Sequence, residues 1–241
     1  MSSPRKPKAW NIKGHLTQAP ELWRGCVLFC PFFAHPLWQS WGSVIISPEE
    51  ATVRLEEMAL LASPVGTAVS HTGSGGLAID YTTPGLRMTQ KTHMSAFMYL
   101  SQDGQNTWAK GLSEGHDDTY TLQAQHFSFL APSMRIWSVN GYAEAVATTD
   151  VTDGKFHSLL GTYDGDAGSV TMDVDGVEEA IGSTTGPMNT VTEDTFVMAD
   201  SFGSPVDGTC AIAALWDRTL TKGERELLGR DPFVMMRPAG F

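Results

Sequence analysis

The chain has 241 residues, 27 acidic and 16 basic, for a formal charge of −11. Apolar residues make up 41% and charged residues 18%, a balance that excludes wholesale disorder. The length fits one large all-β domain, and the net acidity argues against nucleic acid as a partner.

The charge is uneven. Residues 1–24 hold Arg5, Lys6, Lys8, Lys13 and Arg24 against Glu21, a balance of +4, and the remainder carries −15. A basic arm over residues 1–21 is therefore expected ahead of an acidic body. The cysteines, at 26, 30 and 210, are odd in number, and a C-x3-C pair without a second pair or a nearby His is a poor zinc signature. They read as small buried thiols in a reducing compartment. No apolar h-region follows the basic start, and the run Cys26–Phe33 is too short to cross a bilayer, so no membrane partner is expected.

In chain order, Ser47-Pro48-Glu49-Glu50 has a capping-box pattern, and the loosely periodic residues Val53, Leu55, Met58 and Leu61 suggest a helix behind it. From residue 76 the chain reads as strands between turns. The runs are 76–81, 92–101, 119–129, 134–139, 143–148, 155–163, 168–174, 177–181, 195–199 and 209–217. Asp103-Gly104, Asn140-Gly141, Asp153-Gly154, Asp164-Gly165 and Asp175-Gly176 supply the turn chemistry that tight hairpins need. Val170, Met172 and Val174 alternate with Thr171 and Asp173, so the first set should face the core and the second the solvent. Thr221-x-x-Glu224, Leu227, Leu228, Gly229 and Asp231-Pro232 predict a short helix over 221–229 with Gly229 as its C-cap. Many short strands at regular spacing predict a sandwich or barrel.

The stretch Phe156-His157-Ser158-Leu159-Leu160-Gly161-Thr162-Tyr163-Asp164-Gly165, followed by Val170–Val174 and Asp175-Gly176-Val177, resembles the central signature of laminin-G-like, concanavalin A-like jelly-roll domains. Ala211–Thr221 with Glu224 is similar to that family's closing strand and short helix, and the resemblance runs over residues 22–230. It implies an antiparallel β-sandwich jelly roll with an extended N-terminal arm, a short C-terminal helix and a tail over 231–241. The close of the chain, Arg230-Asp231-Pro232-Phe233-Val234-Met235-Met236-Arg237-Pro238, resembles the end of many such proteins encoded by bacteriophages. That narrower resemblance implies a virion component, most concretely a capsid decoration or cement protein.

The partners so implied are the major capsid protein or other virion proteins and further copies of the chain, with a trimer as the leading expectation. Arg5, Lys6, Lys8, Trp10 and Lys13 of the arm, with Phe233, Met235, Met236, Arg237 and Phe241 of the tail, would make those contacts. The alternative is a carbohydrate-binding module, with Trp108, His116 and Tyr142 contacting glycan and Tyr120 and Trp137 as further aromatic candidates. The early aromatics Trp23, Phe29, Phe32, Phe33, Trp38 and Trp41 would form core or a patch buried against a neighbour.

Glucanases of this fold use carboxylates in an E-x-D-x-x-E pattern. Here the local match is Asp173-x-Asp175-x-x-Glu178, in which the first residue is a methylene short and a hairpin turn separates the last, so no enzyme activity is expected. Laminin-G-like domains hold calcium at one rim with Asp side chains. Glu114, Asp117 and Asp118 with His116, or Asp164 with Asp166, would do so here, but neither set has the D-x-D-x-D-G order. Both read as solvated turns, and no cofactor is expected. His157 reads as a structural hydrogen-bonding residue.

Overall fold

A computed structural model describes residues 19–31, 51–54, 58–63, 66–71, 76–79, 87–103, 109–114, 119–126, 130–191, 195–197 and 208–236. In chain order the strands are β1 (Cys26–Pro31), β2 (Ala51–Arg54), β3 (Met58–Ser63), β4 (Gly66–His71), β5 (Gly76–Ile79), β6 (His93–Asp103), β7 (Ala109–Glu114), β8 (Tyr120–Gln125) and β9 (Ser133–Ser138). There follow β10 (Gly141–Val146), β11 (Asp153–Asp164), β12 (Ser169–Val174), β13 (Val177–Gly182), β14 (Thr195–Val197), β15 (Gly208–Trp216) and the helix α1 (Lys222–Arg230). Two antiparallel sheets form a sandwich. The first runs β13-β12-β11-β6-β15-β4-β3, with β1 also on β15, and the second runs β10-β9-β8-β7-β14-β5-β2.

The helix expected behind Ser47 is corrected. Ala51–Arg54 pairs with β5 and Met58–Ser63 pairs with β4. A loose apolar period sets no helix where both stretches find strand partners. The β9–β10 turn also shifts. Ser138 pairs with Gly141, so Val139 and Asn140 make the turn and Gly141 opens the strand.

Alternation sorts the strands into two cores. Met94, Ala96, Met98 and Leu100 of β6, with Val170, Met172 and Val174 of β12, meet Leu122, Met134 and Ile136 between the sheets. Phe97, Leu160, Ile212, Ala214 and Trp216 point to the outer side of the first sheet, where Ala19, Leu22, Leu228, Val234 and Met235 cover them. Both ends of the described chain thus lie on one face. The Trp216 indole donates to the Leu22 carbonyl at 2.6 Å, and the Trp23 indole donates to the Met235 carbonyl at 3.1 Å.

The helix begins as read. Thr221 accepts from the Glu224 amide, and the Glu224 carboxylate accepts from the Thr221 amide. Burial pushes Glu224 up, but hydrogen bonds from Arg218 and Thr221 prevail and hold it at about 2. The C-cap differs: α1 runs through Gly229 to Arg230, and Asp231 caps it. Gly229 serves packing, because a Cβ there would fall within 3.0 Å of the Gly176 backbone in the β12–β13 turn. Asp175 and Gly176 take positive φ values of 51° and 80° to make that turn.

Docking α1 buries one side of β12 that alternation assigned to solvent. Thr171 is 8% and Asp173 3% exposed. Arg225, itself buried, donates from Nη1 to Thr171 Oγ1 at 2.7 Å and Asp173 Oδ1 at 3.1 Å, and from Nη2 to Glu178 Oε2 at 2.7 Å. Cys26, Cys30 and Cys210 are buried free thiols, and burial pushes Cys30 up to about 12.

Candidate functional site

The hairpin β9–β10 forms one end of the second sheet. Met134, Ile136, Ala143 and Ala145 face the inner core, so Arg135, Trp137, Tyr142 and Glu144 face outward. The register sets Trp137 opposite Tyr142 and Arg135 opposite Glu144. The two rings lie 5.2 Å apart at 50°, and Tyr142 is 49% exposed. Tyr142 donates its hydroxyl to Glu144 Oε2 at 2.6 Å, which fixes the ring's tilt. Arg135 Nε donates to Glu144 Oε1 at 2.6 Å, and His126 Nε2 lies 3.3 Å from the same oxygen.

Burial pushes Glu144 up, but the Tyr142 and Arg135 hydrogen bonds outweigh it and the carboxyl sits below its ordinary value. Burial lowers His126 against the pull of Glu144. The group is thus an ionised carboxylate, a guanidinium and an uncharged imidazole under an aromatic pair. Behind it on the same face, Thr121 and Gln123 of β8 and Ser133 of β9 are fully buried, so the accessible part lies at the β9–β10 end. Residues 183–191 brace it: Val139 donates its amide to the Pro187 carbonyl, Asn140 Nδ2 donates to Thr185 Oγ1, and Ser138 and Thr184 share a hydrogen bond of 2.8 Å.

Of the glycan candidates, Tyr142 is exposed on this patch, whereas Trp108 and His116 lie outside the described residues. Trp137 joins the patch, and Tyr120 is core at 0% exposed. Arg135, Glu144 and His126 were not singled out beforehand. The alternation of Met134-Arg135-Ile136-Trp137 against Tyr142-Ala143-Glu144-Ala145 carried their signal, but pairing them needs the register. Of the interface candidates, Arg5, Lys6, Lys8, Trp10, Lys13, Arg237 and Phe241 lie outside the described residues. The tail residues within them fold back. Met235 is fully buried, and Phe233 and Met236 pack against the outer cluster, with Phe233 edge-on to Tyr99 at 5.5 Å. Trp23 and Tyr99 thus provide an apolar seat for the tail within the same chain, and Phe233 and Met236 remain partly exposed on it. Trp23 and Phe29 pack together at 5.1 Å, while Phe32, Phe33, Trp38 and Trp41 lie outside the described residues.

The carboxylates weighed for glucanase chemistry sit across the sandwich from this patch. Asp173 and Glu178 share Arg225, and Asp175 accepts from the Ser158 amide at 2.8 Å. His157 bridges two carboxylates, with Nδ1 2.8 Å from Asp175 and Nε2 3.1 Å from Asp153. Glu114 is buried and accepts from the Met88 amide, which removes it from any acidic loop. Asp164 and Asp166 flank His93 at 3.4 and 3.6 Å. Among the described residues no group of three or more His, Cys, Asp or Glu is placed to hold a metal ion, and no helix is long and apolar enough to cross a membrane.

The Asp175 hydrogen bond, with help from Asp153 and against burial, raises the His157 pKa, and the two aspartates are lowered. A raised imidazole stabilises the fold fully below its unfolded value near ~6.5 and loses that contribution as pH rises through the folded value. The lowered aspartates contribute above ~4 and lose it as pH falls through their folded values. The stability difference between the native chain and His157→Gln should thus be widest near pH 5–6 and narrow by pH 9. Denaturation midpoints at the two pH values check this, and an equal gap at both contradicts it.

The family model described as the concanavalin A-like lectin/glucanases superfamily matches residues 72–224. The chain belongs to that superfamily. Comparison with curated protein sequences gives no match. Among solved structures, the chain resembles domain 4 of AbnA, a GH43 extracellular arabinanase from Geobacillus stearothermophilus, in complex with arabinotriose. The TM-score is 0.63 at 13% identity, covering 85% of this chain and 98% of that one. It also resembles the binding domain of Paraclostridial Mosquitocidal Protein 1 (TM-score 0.64, 8% identity, 88% and 53% covered). A third likeness is to the binding domain of botulinum neurotoxin DC in complex with SialylT (TM-score 0.61, 9% identity, 85% and 51% covered). This superfamily member spans about half the length of the two toxin binding domains. At such identities the likenesses establish the fold.

Proposed function

We propose that this chain is a non-catalytic binding body whose Trp137–Tyr142 patch contacts a glycan. The half-exposed Tyr142 ring, pinned by Glu144 beside Trp137, carries the reading. A rigid aromatic face loses little entropy on binding, and the fixed Arg135–Glu144 pair beside it offers directed polar contacts. The arabinotriose and SialylT complexes of the similar domains support the same ligand class. Glycoside hydrolysis needs two carboxylates flanking one bond, and the patch supplies Glu144 alone among its described residues, which favours binding over cleavage. A glycan array followed by titration of the best ligand tests this. Tyr142→Ala should weaken binding by about thirtyfold, the ~2 kcal/mol of a dominant aromatic contact. An array with no signal above background sinks the reading.

A setting in a bacteriophage-like virion is the second reading, with the chain as a capsid decoration or cement protein. It is supported by the close of the chain and by the shared face of Ala19 and Met235, opposite the patch. Arm and tail would then bind the major capsid protein or another virion protein while the patch points away, and each weak contact would gain from linkage. A trimer is the proposed assembly. Deleting residues 1–18 should lower incorporation into particles, and unchanged occupancy argues against the arm's part in it.

A further inference from the structure

The Trp137–Tyr142 patch has a hydrogen-bond polarity as well as a shape. A tyrosine hydroxyl holds one hydrogen to donate and lone pairs with which to accept. Tyr142 commits that hydrogen to Glu144 Oε2 at 2.6 Å. Toward a ligand its oxygen can therefore only accept, and donation to a carboxylate makes that oxygen a stronger acceptor. A sugar hydroxyl satisfies it by donating. An ionised carboxylate or sulfate cannot, since it carries acceptors alone.

The charges select in the same direction. Glu144 keeps 16% of its side chain exposed, whereas Arg135 keeps 7% and gives its Nε to the same carboxylate. His126, beside them, is buried. The anion of the group is thus more open to a ligand than its cation. A negative ligand would have to draw Arg135 away from Glu144 to gain a partner, leaving a carboxylate largely withdrawn from water without its own.

The surroundings extend this to longer range. Residues 132–186, which build the patch and the strands beside it, hold nine acidic residues and two basic ones. One of the two is Arg135, and the other, Lys155, pairs with Asp153 at 2.5 Å. Glu179 of β13, the strand beside β10, accepts from the Thr148 and Thr149 amides just past β10. A field of this sign lowers the local concentration of anions and leaves that of neutral ligands unchanged.

We infer that the Trp137–Tyr142 patch takes an uncharged, hydroxyl-rich glycan and refuses carboxylated or sulfated ones. The inference rests on the glycan reading and names its ligand class.

The test uses the full chain and matched pairs of immobilised oligosaccharides, each neutral member set against the same chain bearing a sulfate or a carboxylated terminal sugar. The neutral member should bind about tenfold more tightly or better, because like charges are costly across an interface. Added salt should narrow that ratio by raising the affinity of the acidic member, while the neutral member changes little. Tyr142→Phe keeps the ring and removes the acceptor, so it should weaken the neutral member about fivefold, the loss of one hydrogen bond, with the melting temperature little changed. Equal or tighter binding of the acidic members overturns the inference and leaves the glycan reading standing. A Tyr142→Phe chain that binds the neutral member as the native chain does overturns it as well. Binding to neither member of any pair overturns both.

Discussion

Arg225→Met should lower stability by about 3–5 kcal/mol near neutral pH, the cost of removing one partner from a buried ion pair. For a domain of this size that is a fall in Tm on the order of 10 °C. Burial already pushes Asp173 up to about 6 even though Arg225 draws it down, and without the guanidinium its pKa climbs further. The sign follows from proton counting. Between the unfolded value near ~4 and the raised folded value, the native state holds more protons than the unfolded one, so stability falls as pH rises through that window. The variant's deficit should therefore be largest at pH 7.5 and shrink at pH 5, where Asp173 takes up a proton. Melting curves at the two pH values decide it, and equal deficits would show that the Asp173 charge is irrelevant. Arg225→Lys should fall between, because an ammonium cannot serve Thr171, Asp173 and Glu178 from one planar fork.

Gly229→Ala should destabilise the protein although alanine is the better helix former. Propensity alone favours the change by about 1 kcal/mol. Against it, the new Cβ falls within 3.0 Å of the Gly176 backbone, and no rotamer change moves a backbone atom. Overpacking of this kind costs about 1–3 kcal/mol, so the net effect is a loss, and Gly229→Val should lose more. Chemical denaturation measures it. A stabilised Gly229→Ala chain would mean that α1 sits further from the β12–β13 turn than described.

Much of this architecture was legible. Most runs from 92 to 181 became strands within a residue or two because their apolar residues alternate, but the run over 119–129 ends as a strand at Gln125 and the Asp153-Gly154 pair expected as a turn opens β11. The capping box at Thr221 was also legible, since both of its partners lie within four residues. β7 was missed: Ala109-Lys110-Gly111-Leu112-Ser113-Glu114 holds no apolar alternation, and its pairing with β8 is broken by register shifts. Thr171 and Asp173 were assigned to solvent because alternation reports two faces and is silent on whether a helix 50 residues away covers one. The site divided the same way. Trp137 and Tyr142 stood out as aromatics, but a turn placed at Asn140-Gly141 would set Tyr142 opposite Val139, and only the turn at Val139-Asn140 brings Arg135 to Glu144. The tail looked like an extension because its seat on Trp23 and Tyr99 is formed by residues far away in the chain.

The pairing of β1 with β15 joins residues almost 190 positions apart: Cys26 sits opposite Trp216 and Pro31 opposite Ile212. Such contacts are late and slow to form, because the whole intervening loop must close first. During synthesis, at about 5–20 residues per second, the first strand leaves the ribosome many seconds before its partner exists. Through that interval Phe29 and Leu28 have no place to bury, and the nascent chain carries an unpaired apolar edge. Holding it soluble falls to whatever attends the emerging chain, and the sandwich becomes self-sufficient only when its last strand has arrived.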